Sequence, residues 1–219
     1  MILHIPHAGI NTLGRNIEQF DIDYLTDWHT DKLFSHKYGD SMIQKVSRFV
    51  CDVERFTDDK EPMYSQGQGI CYTKGTRDND IGVIDKEDII NNIYNKWHIE
   101  LNKKVAFSLC YFSKIVVVDC HSFPDKEGYP DFCIGTTEQT PKELVDLVQY
   151  FLKDYHVGIN NPYCGSMIPS NYVGNEDVIP IMIEVNKKLY LNNEDDFNKI
   201  KIVINQLLDV ISEYESSVE

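Results

Sequence analysis

Apolar residues along this chain recur in two rhythms. Near-continuous runs rich in Val, Ile and Leu occupy Ile2–Ile5, Lys114–Asp119, Asp131–Gly135 and Val178–Val185. Runs of this length predict strands covered on both faces of a sheet. Lys45–Val53 predicts a further strand. Elsewhere the apolar positions recur every three to four residues, the period of a helix. Over Lys86–Leu109 they are Ile90, Ile93, Trp97, Leu101 and Val105, with Asp85 placed as N-cap and Asp88 three residues on. Pro141–Tyr155 predicts a second helix with proline at its first position. From Asp195 onward Phe197, Ile200, Ile204, Leu207, Leu208 and Ile211 line one face of a third, and Thr30–Tyr38 predicts a shorter one. Strand runs alternating with helical segments indicate a layered α/β domain. Between Thr57 and Gly82 the text turns charged and glycine-rich, which predicts a long loop of the kind that serves function.

Composition narrows the classes. The chain has 219 residues, 42% of them hydrophobic, and no linker-like stretch divides it, so one domain, 1–219, is expected. A net charge of −14 argues against partners built on phosphate backbones or anionic lipids, so neither nucleic acid nor membrane is expected. The six cysteines form no Cys-x-x-Cys pair, and the charge-poor start "MILHIPHAG" does not read as a signal peptide. Reduced cysteines in a cytoplasmic protein fit best, with Cys120 and Cys133 as small core residues.

The candidate chemistry collects at strand ends. The first strand runs into Pro6-His7-Ala8-Gly9, the strand Lys114–Asp119 into Cys120-His121-Ser122, and Val178–Val185 carries Glu184 between Ile183 and Val185. In open, parallel-rich sheets ligands bind beyond the carboxyl ends of the strands, so two imidazoles and a carboxylate are placed at one edge. Two histidines and a carboxylate, with a fourth position open, form a catalytic zinc set. The acid-rich "LTDWHTDKLF" offers Asp27, His29 and Asp31 as the third ligand, although Asp and Thr ahead of an apolar run also serve as N-caps. Ser122 adjoins His121, but neighbours on a strand point to opposite faces and make a poor nucleophile–base pair. Among only four arginines, Arg48 and Arg55 flank the same predicted strand and are candidate receptors for a substrate carboxylate, Arg55 ahead of Arg48; the competing reading, and the stronger one for Arg48, is a structural ion pair with one of the chain's 35 acids.

The ordered set "IPHAG", "DWHTDKLF", "SRFVCDVERF", "YNKWH", "DCHSFP", "PDFCIGT", "NPYCG" and "IEVN" resembles the N-formylglutamate amidohydrolase family, itself distantly similar to the zinc carboxypeptidases. The resemblance spans residue 3 to about 191. It implies a three-layer α/β/α fold with a mixed, mostly parallel central sheet. It also implies a zinc ion, or another divalent ion in its place, held by His7, Asp31 and His121, with Asp119 orienting the site and Glu184 as general base. Arg55 and His98 match further catalytic positions, and Arg48, Asn161 and Tyr163 would contact the substrate. The chain departs from the family pattern at Glu54, where asparagine is usual, and at Pro169-Ser170, where an arginine is usual. The implied activity is zinc-dependent hydrolysis of an N-formyl or N-acyl amide of an amino acid, of the N-formylglutamate type. The rival readings are a carboxypeptidase-like peptidase or cell-wall peptide amidase on the same site, and a metal-free binding protein that keeps the fold.

Overall fold

A computed structural model of the protein describes residues 1–57 and 60–218. Its elements follow the chain as β1 (Ile2–Ile5), α1 (Gln19–Leu25), α2 (Thr30–Leu33), β2 (Asp40–Ile43), α3 (Lys86–Ile89), α4 (Asn95–Ser108), β3 (Ile115–Phe123), β4 (Phe132–Gly135), α5 (Lys142–Phe151), β5 (Val157–Ile159), β6 (Val178–Asn186) and α6 (Glu194–Ser217). A π turn, Ile90–Tyr94, joins α3 to α4 without a break. The strands form one sheet in the order β2-β1-β3-β6-β4-β5. β2, β1, β3 and β6 run parallel, while β4 lies antiparallel to β6 and carries β5 parallel to itself. The sheet is therefore mixed and mostly parallel, as expected.

The period of two along the strands divides the core between the two sheet faces. Leu3, Ile5, Val116, Val118, Cys120, Ile179, Ile181 and Ile183 pack with apolar residues of α2, α5 and α6. On the other face Ile2, Ile115, Val117 and Val178 pack with Trp97, Leu101 and Val105 of α4. The helical patterns predict these contacts well. Asp85 accepts from the Asp88 amide at 3.1 Å, Asn193 caps α6 by accepting from the Asp196 amide at 2.9 Å, and the α6 face from Ile200 to Ile211 is buried. Among the described residues no helix is long and apolar enough to cross a membrane.

Four expectations change. Lys45–Val53 is not a strand: Val50 and Cys51 donate to the Ser47 carbonyl at 2.9 and 3.1 Å, closing a turn, and the partner of β1 is the preceding segment, β2. β3 runs past Asp119 to Phe123, paired with β6 along its whole length, so His121 and Ser122 lie inside the strand. The Thr30–Tyr38 helix is a single turn, α2, because Leu33 and Phe34 are both fully buried and the chain must descend from them into β2. Within the loop after Thr57, a short 3-10 turn at Tyr64–Gln66 and isolated bridges Gln68–Tyr72 and Lys74–Asp80 supply order. Residues 58 and 59 of that loop lie outside the described residues.

Gly9, two residues past His7, fixes how β1 leaves the sheet. A Cβ there would stand 2.5 Å from the Lys45 carbonyl carbon and 2.7 Å from the Gln44 oxygen, both backbone atoms that cannot swing away. Gly9→Ala should therefore lower stability by about 1–3 kcal/mol, the usual cost of forcing atoms into a filled space. Urea unfolding checks this, and a midpoint equal to that of the native chain would refute the close approach.

Candidate active site

The α4-facing side of the sheet changes from apolar to polar along each central strand. On β3 the side chains on this side are Ile115 and Val117, then Asp119 and His121; on β1 they are Ile2 and then His4. Register sets His4 beside Asp119 and His121 beside Glu184. His7 follows two residues beyond the end of β1. The loop after α1 then comes back to this edge, because the Asp27 amide donates to the His7 carbonyl at 3.0 Å.

The side chains converge closely. His7 Nδ1 and His121 Nδ1 lie 3.3 Å apart, and Asp27 Oδ2 stands 3.1 Å from the His121 atom and 3.7 Å from the His7 atom. The far nitrogen of each ring meets another carboxylate: His7 Nε2 lies 2.9 Å from Asp52 Oδ1, and His121 Nε2 lies 3.0 Å from Asp119 Oδ1. Asp119 in turn is fixed by His4 Nδ1 at 2.8 Å and by the Met167 amide at 2.8 Å, while Trp97 Nε1 donates to His4 Nε2 at 3.0 Å. Asp52 accepts from Arg48 Nη2 and from the Tyr72 hydroxyl, each at 2.8 Å. Glu54 reaches in from the side, 3.2 Å from His121 Nε2 and 3.4 Å from His7 Nε2. Among the described residues, His7, Glu54 and His121 offer ligand atoms within 4.8 Å of one another, as do His4, Glu54 and Asp119.

This cluster forms the floor of a cavity of about 460 Å³. Its lining also includes Phe123, Pro124, Pro162, Tyr163, Met63 and Gln68. Glu184 opens onto it, 7% exposed, with Oε2 buried and without a hydrogen-bond partner. Its size suits a small ligand held by a few polar groups.

The charges are strongly coupled. Burial and Arg48 pull His7 down, yet Asp52, Glu54 and Asp27 carry it above its ordinary value. Burial likewise opposes a charge on His121, but Glu54, Asp119 and Asp27 raise it well above the usual imidazole range. Asp27 is held well below the normal carboxylate range: burial works against its charge, and the hydrogen bonds to His121 and His7 overcome that. Asp52 and Asp119 are held low in the same way, chiefly by Arg48 and His121 respectively against the cost of burial. Glu184 behaves oppositely. Burial pushes its carboxyl up to about 8, with Asp27 and Glu54 adding to the shift and His121 opposing it. The floor thus draws positive charge to itself, and Glu184 waits above it as a carboxyl that prefers to hold a proton.

Of the residues expected from sequence, His7, His121, Glu184, Asp119 and Arg55 meet here. The acid beside both imidazoles is Asp27, not Asp31, which sits on α2 outside the cavity. The N-cap position before α2 is taken by His29, in the left-handed region at φ 63°, which leaves the Asp27 carboxylate free to face the histidines. His98 does not border the cavity; its Nε2 lies 2.8 Å from the Val53 carbonyl oxygen and its ring packs on Tyr94, so it supports the Asp52–Glu54 segment from behind. Arg48 borders the cavity but is not free, because Nε and Nη2 both donate to Asp52 and Nη1 donates to the Leu25 carbonyl. Tyr163 lines the wall, whereas Asn161 is exposed and outside it. Sequence reading passed over His4, Asp52, Glu54 and Tyr72 as members of the site. Only the unusual density of acids in "CDVER" signalled two of them.

The sequence model of the N-formylglutamate amidohydrolase family matches residues 1–191. Among solved structures, the chain superposes on an N-formylglutamate amidohydrolase from Ralstonia eutropha JMP134 with a TM-score of 0.83 and 20% identity, over 100% of this chain and 94% of that one. A gene product of Agrobacterium tumefaciens gives a TM-score of 0.71 at 18% identity, covering 98% and 91% of the two chains. No curated protein sequence matches the chain.

Proposed function

The chain belongs to the N-formylglutamate amidohydrolase family, hydrolases of carbon–nitrogen bonds, and from that premise we propose that it is a zinc-dependent amidohydrolase cleaving the N-formyl or N-acyl amide of an amino acid. The observation that carries the metal is the triangle of His7 Nδ1, His121 Nδ1 and Asp27 Oδ2, with edges of 3.1 to 3.7 Å. Donors about 2.0–2.1 Å from a tetrahedral zinc are spaced about 3.3 Å from one another. Tautomers support the same set. If each Nε2–H is given to Asp52 or Asp119, both Nδ1 atoms present bare lone pairs to each other across 3.3 Å. Such a pair calls for a cation between them, and carboxylate partners on the far nitrogen are the usual support of zinc-bound histidine.

His7, Asp27 and His121 would hold the ion. When bound, it supplies Lewis acidity, which makes water nucleophilic near neutral pH and favours negative charge on the acyl oxygen. The chain's own residues do the rest. Glu184 takes the proton that water loses as its oxygen adds to the acyl carbon, and returns it to the amide nitrogen as the carbon–nitrogen bond breaks, leaving a free amine and formate or another carboxylate. A cation on the floor would draw the Glu184 carboxyl below the value that burial alone imposes, so that it can act as a base. Phe123, Pro124 and Tyr163 of the cavity lining would keep bulk water from the reacting group, and Arg55, on the same lining, would receive the substrate carboxylate. The cavity's modest size favours a single N-acyl amino acid over an extended peptide.

Metal analysis of protein purified without added zinc tests this reading, together with formate release from a panel of N-formyl amino acids. About one zinc per chain is expected in the native protein and in Asp31→Asn, and well under half of that in Asp27→Asn. Full occupancy in Asp27→Asn, with loss in Asp31→Asn, would return the third ligand to Asp31. Absence of zinc and of formate release from every member of the panel would overturn the activity.

A further inference from the structure

We infer that His4, held in one tautomer by Trp97, is a positioning residue: it makes Asp119 the acceptor of the His121 Nε2 proton and so keeps the His121 Nδ1 lone pair free for the ion. This rests on the zinc reading and deepens it.

His4 is fully buried, and the proposed reaction leaves it unused. It lies on the side of β1 that Ile2 shares and α4 covers, where an apolar residue would be expected. A polar ring in such a place costs stability unless both nitrogens find partners. Both do, and the partners fix the direction of every bond. An indole nitrogen can only donate, so the 3.0 Å contact from Trp97 Nε1 makes His4 Nε2 an acceptor. The ring's proton then stands on Nδ1, 2.8 Å from Asp119 Oδ1. The same oxygen lies 3.0 Å from His121 Nε2, and the Met167 amide donates to Oδ2 at 2.8 Å. Three donors thus aim the Asp119 carboxylate.

That aim matters because a second carboxylate competes for the same proton. Glu54 Oε1 stands 3.2 Å from His121 Nε2, and Glu54 also lies 3.4 Å from His7 Nε2 and 3.8 Å from His4 Nδ1. Its side chain is 20% exposed, against 2% for Asp119. Shared among three imidazoles and partly wet, Glu54 is the looser acceptor. Asp119, fixed by His4, is the one that orients the His121 ring. The ligand atoms of His4, Glu54 and Asp119 also lie close enough together to raise the question of a second metal. The Trp97 bond decides against it. A metal on His4 Nδ1 would leave the ring's proton on Nε2, where it would point at the indole N–H. The trio is a hydrogen-bond relay.

Histidine-ring NMR, which distinguishes Nδ1–H from Nε2–H, tests the tautomers in zinc-loaded and zinc-stripped protein. Competition with a chelator, well below Tm, measures zinc affinity. We expect His4 protonated at Nδ1, His121 at Nε2, and zinc bound about tenfold more weakly in His4→Leu, the lower end of what partners of zinc-bound histidines contribute. His4→Asn should stay close to native, because its amide can donate from the Nδ1 position. His4→Gln, whose amide reaches Trp97 and not Asp119, should weaken zinc as His4→Leu does, and it replaces that variant if His4→Leu does not fold. Trp97→Phe should cost less than His4→Leu and nothing further in the His4→Leu background. A merely structural His4 would lower Tm in all three variants and leave zinc affinity of the folded chains unchanged. That result, a His4 proton on Nε2, additive losses from Trp97→Phe and His4→Leu, or a second zinc that displaces the Nδ1 proton would overturn the inference. If the native chain takes up no zinc, the zinc reading falls and the His121 tautomer judges the relay. Nε2–H in the native and Asn proteins but a mixture in the Gln protein supports it, and Nε2–H in all three overturns it.

Discussion

Glu184→Gln should keep its fold and its zinc while turnover falls roughly 10²- to 10⁴-fold, the usual worth of a positioned general base. The substitution is nearly isosteric and removes only the ability to take a proton. The two lysines that follow Glu184 do not neutralise it: Lys187 donates to the Tyr24 carbonyl, and Lys188 pairs with Asp125 and Asp131. With no ion pair to break, a drop in rate reports chemistry and not collapse of the site. A second readout is independent of substrate. The carboxyl titrates near 8 in the folded protein against its ordinary 4.5. A group whose folded value is raised favours folding at low pH and loses that contribution as pH climbs through the window from about 4.5 to about 8. In zinc-stripped protein, therefore, the native chain should become less stable than Glu184→Gln across that window, with the gap in Tm widest above pH 8. Full turnover by a zinc-loaded Gln variant would remove Glu184 from the mechanism, and loss of zinc would make it a ligand.

How far the sequence could be read depended on which force set each feature. Where burial alone decided, reading was reliable. The apolar runs of β1, β3, β4 and β6 and the α6 stripe were all visible, because a period of two or of 3.6 leaves a trace in every residue. The polar ends of those strands were visible for the same reason: Asp119, His121 and Glu184 continue the register of the face that α4 covers. What the sequence hid was set by contacts between distant segments. Asp27 and Asp31 are equivalent as text, and only the hydrogen bond from the Asp27 amide to the His7 carbonyl decides which one turns toward the imidazoles. Lys45–Val53 has the composition of a strand, yet β1 is only four residues long and its edge is already occupied by β2. The turn at Ser47 then puts Arg48, Asp52 and Glu54 on the cavity wall instead of in a ladder. The structural ion pair that competes with substrate binding at Arg48 is the one formed, and its partner, Asp52, stands four residues on in that same turn.

His7→Ala and His121→Ala should each reduce bound zinc well below one per chain and abolish measurable hydrolysis, the largest effects expected anywhere in the molecule. Each deletes one corner of the donor triangle, leaving one imidazole and the Asp27 carboxylate, too few to hold the ion at ordinary concentrations. The carboxylates behind the rings should matter less and in a graded way. Asp52→Asn or Asp119→Asn keeps a hydrogen-bond acceptor near Nε2 but removes the charge that fixes the tautomer. Metal affinity should then weaken by about 10- to 100-fold without being lost. His36 provides the control, since its Nε2 lies 3.1 Å from Asp209 on α6, away from the cavity, and His36→Ala should retain full zinc. The ordering separates two explanations that a single loss of activity would confuse. If the histidines merely held the fold through Asp27, Asp52 and Asp119, all these variants would lose Tm together and zinc in proportion. If they are ligands, restoring fold with cold or osmolyte leaves His7→Ala and His121→Ala without zinc, while Asp52→Asn and Asp119→Asn regain it at raised metal concentration. Stoichiometric zinc in both histidine variants would dismiss the Nδ1 pair as the metal site.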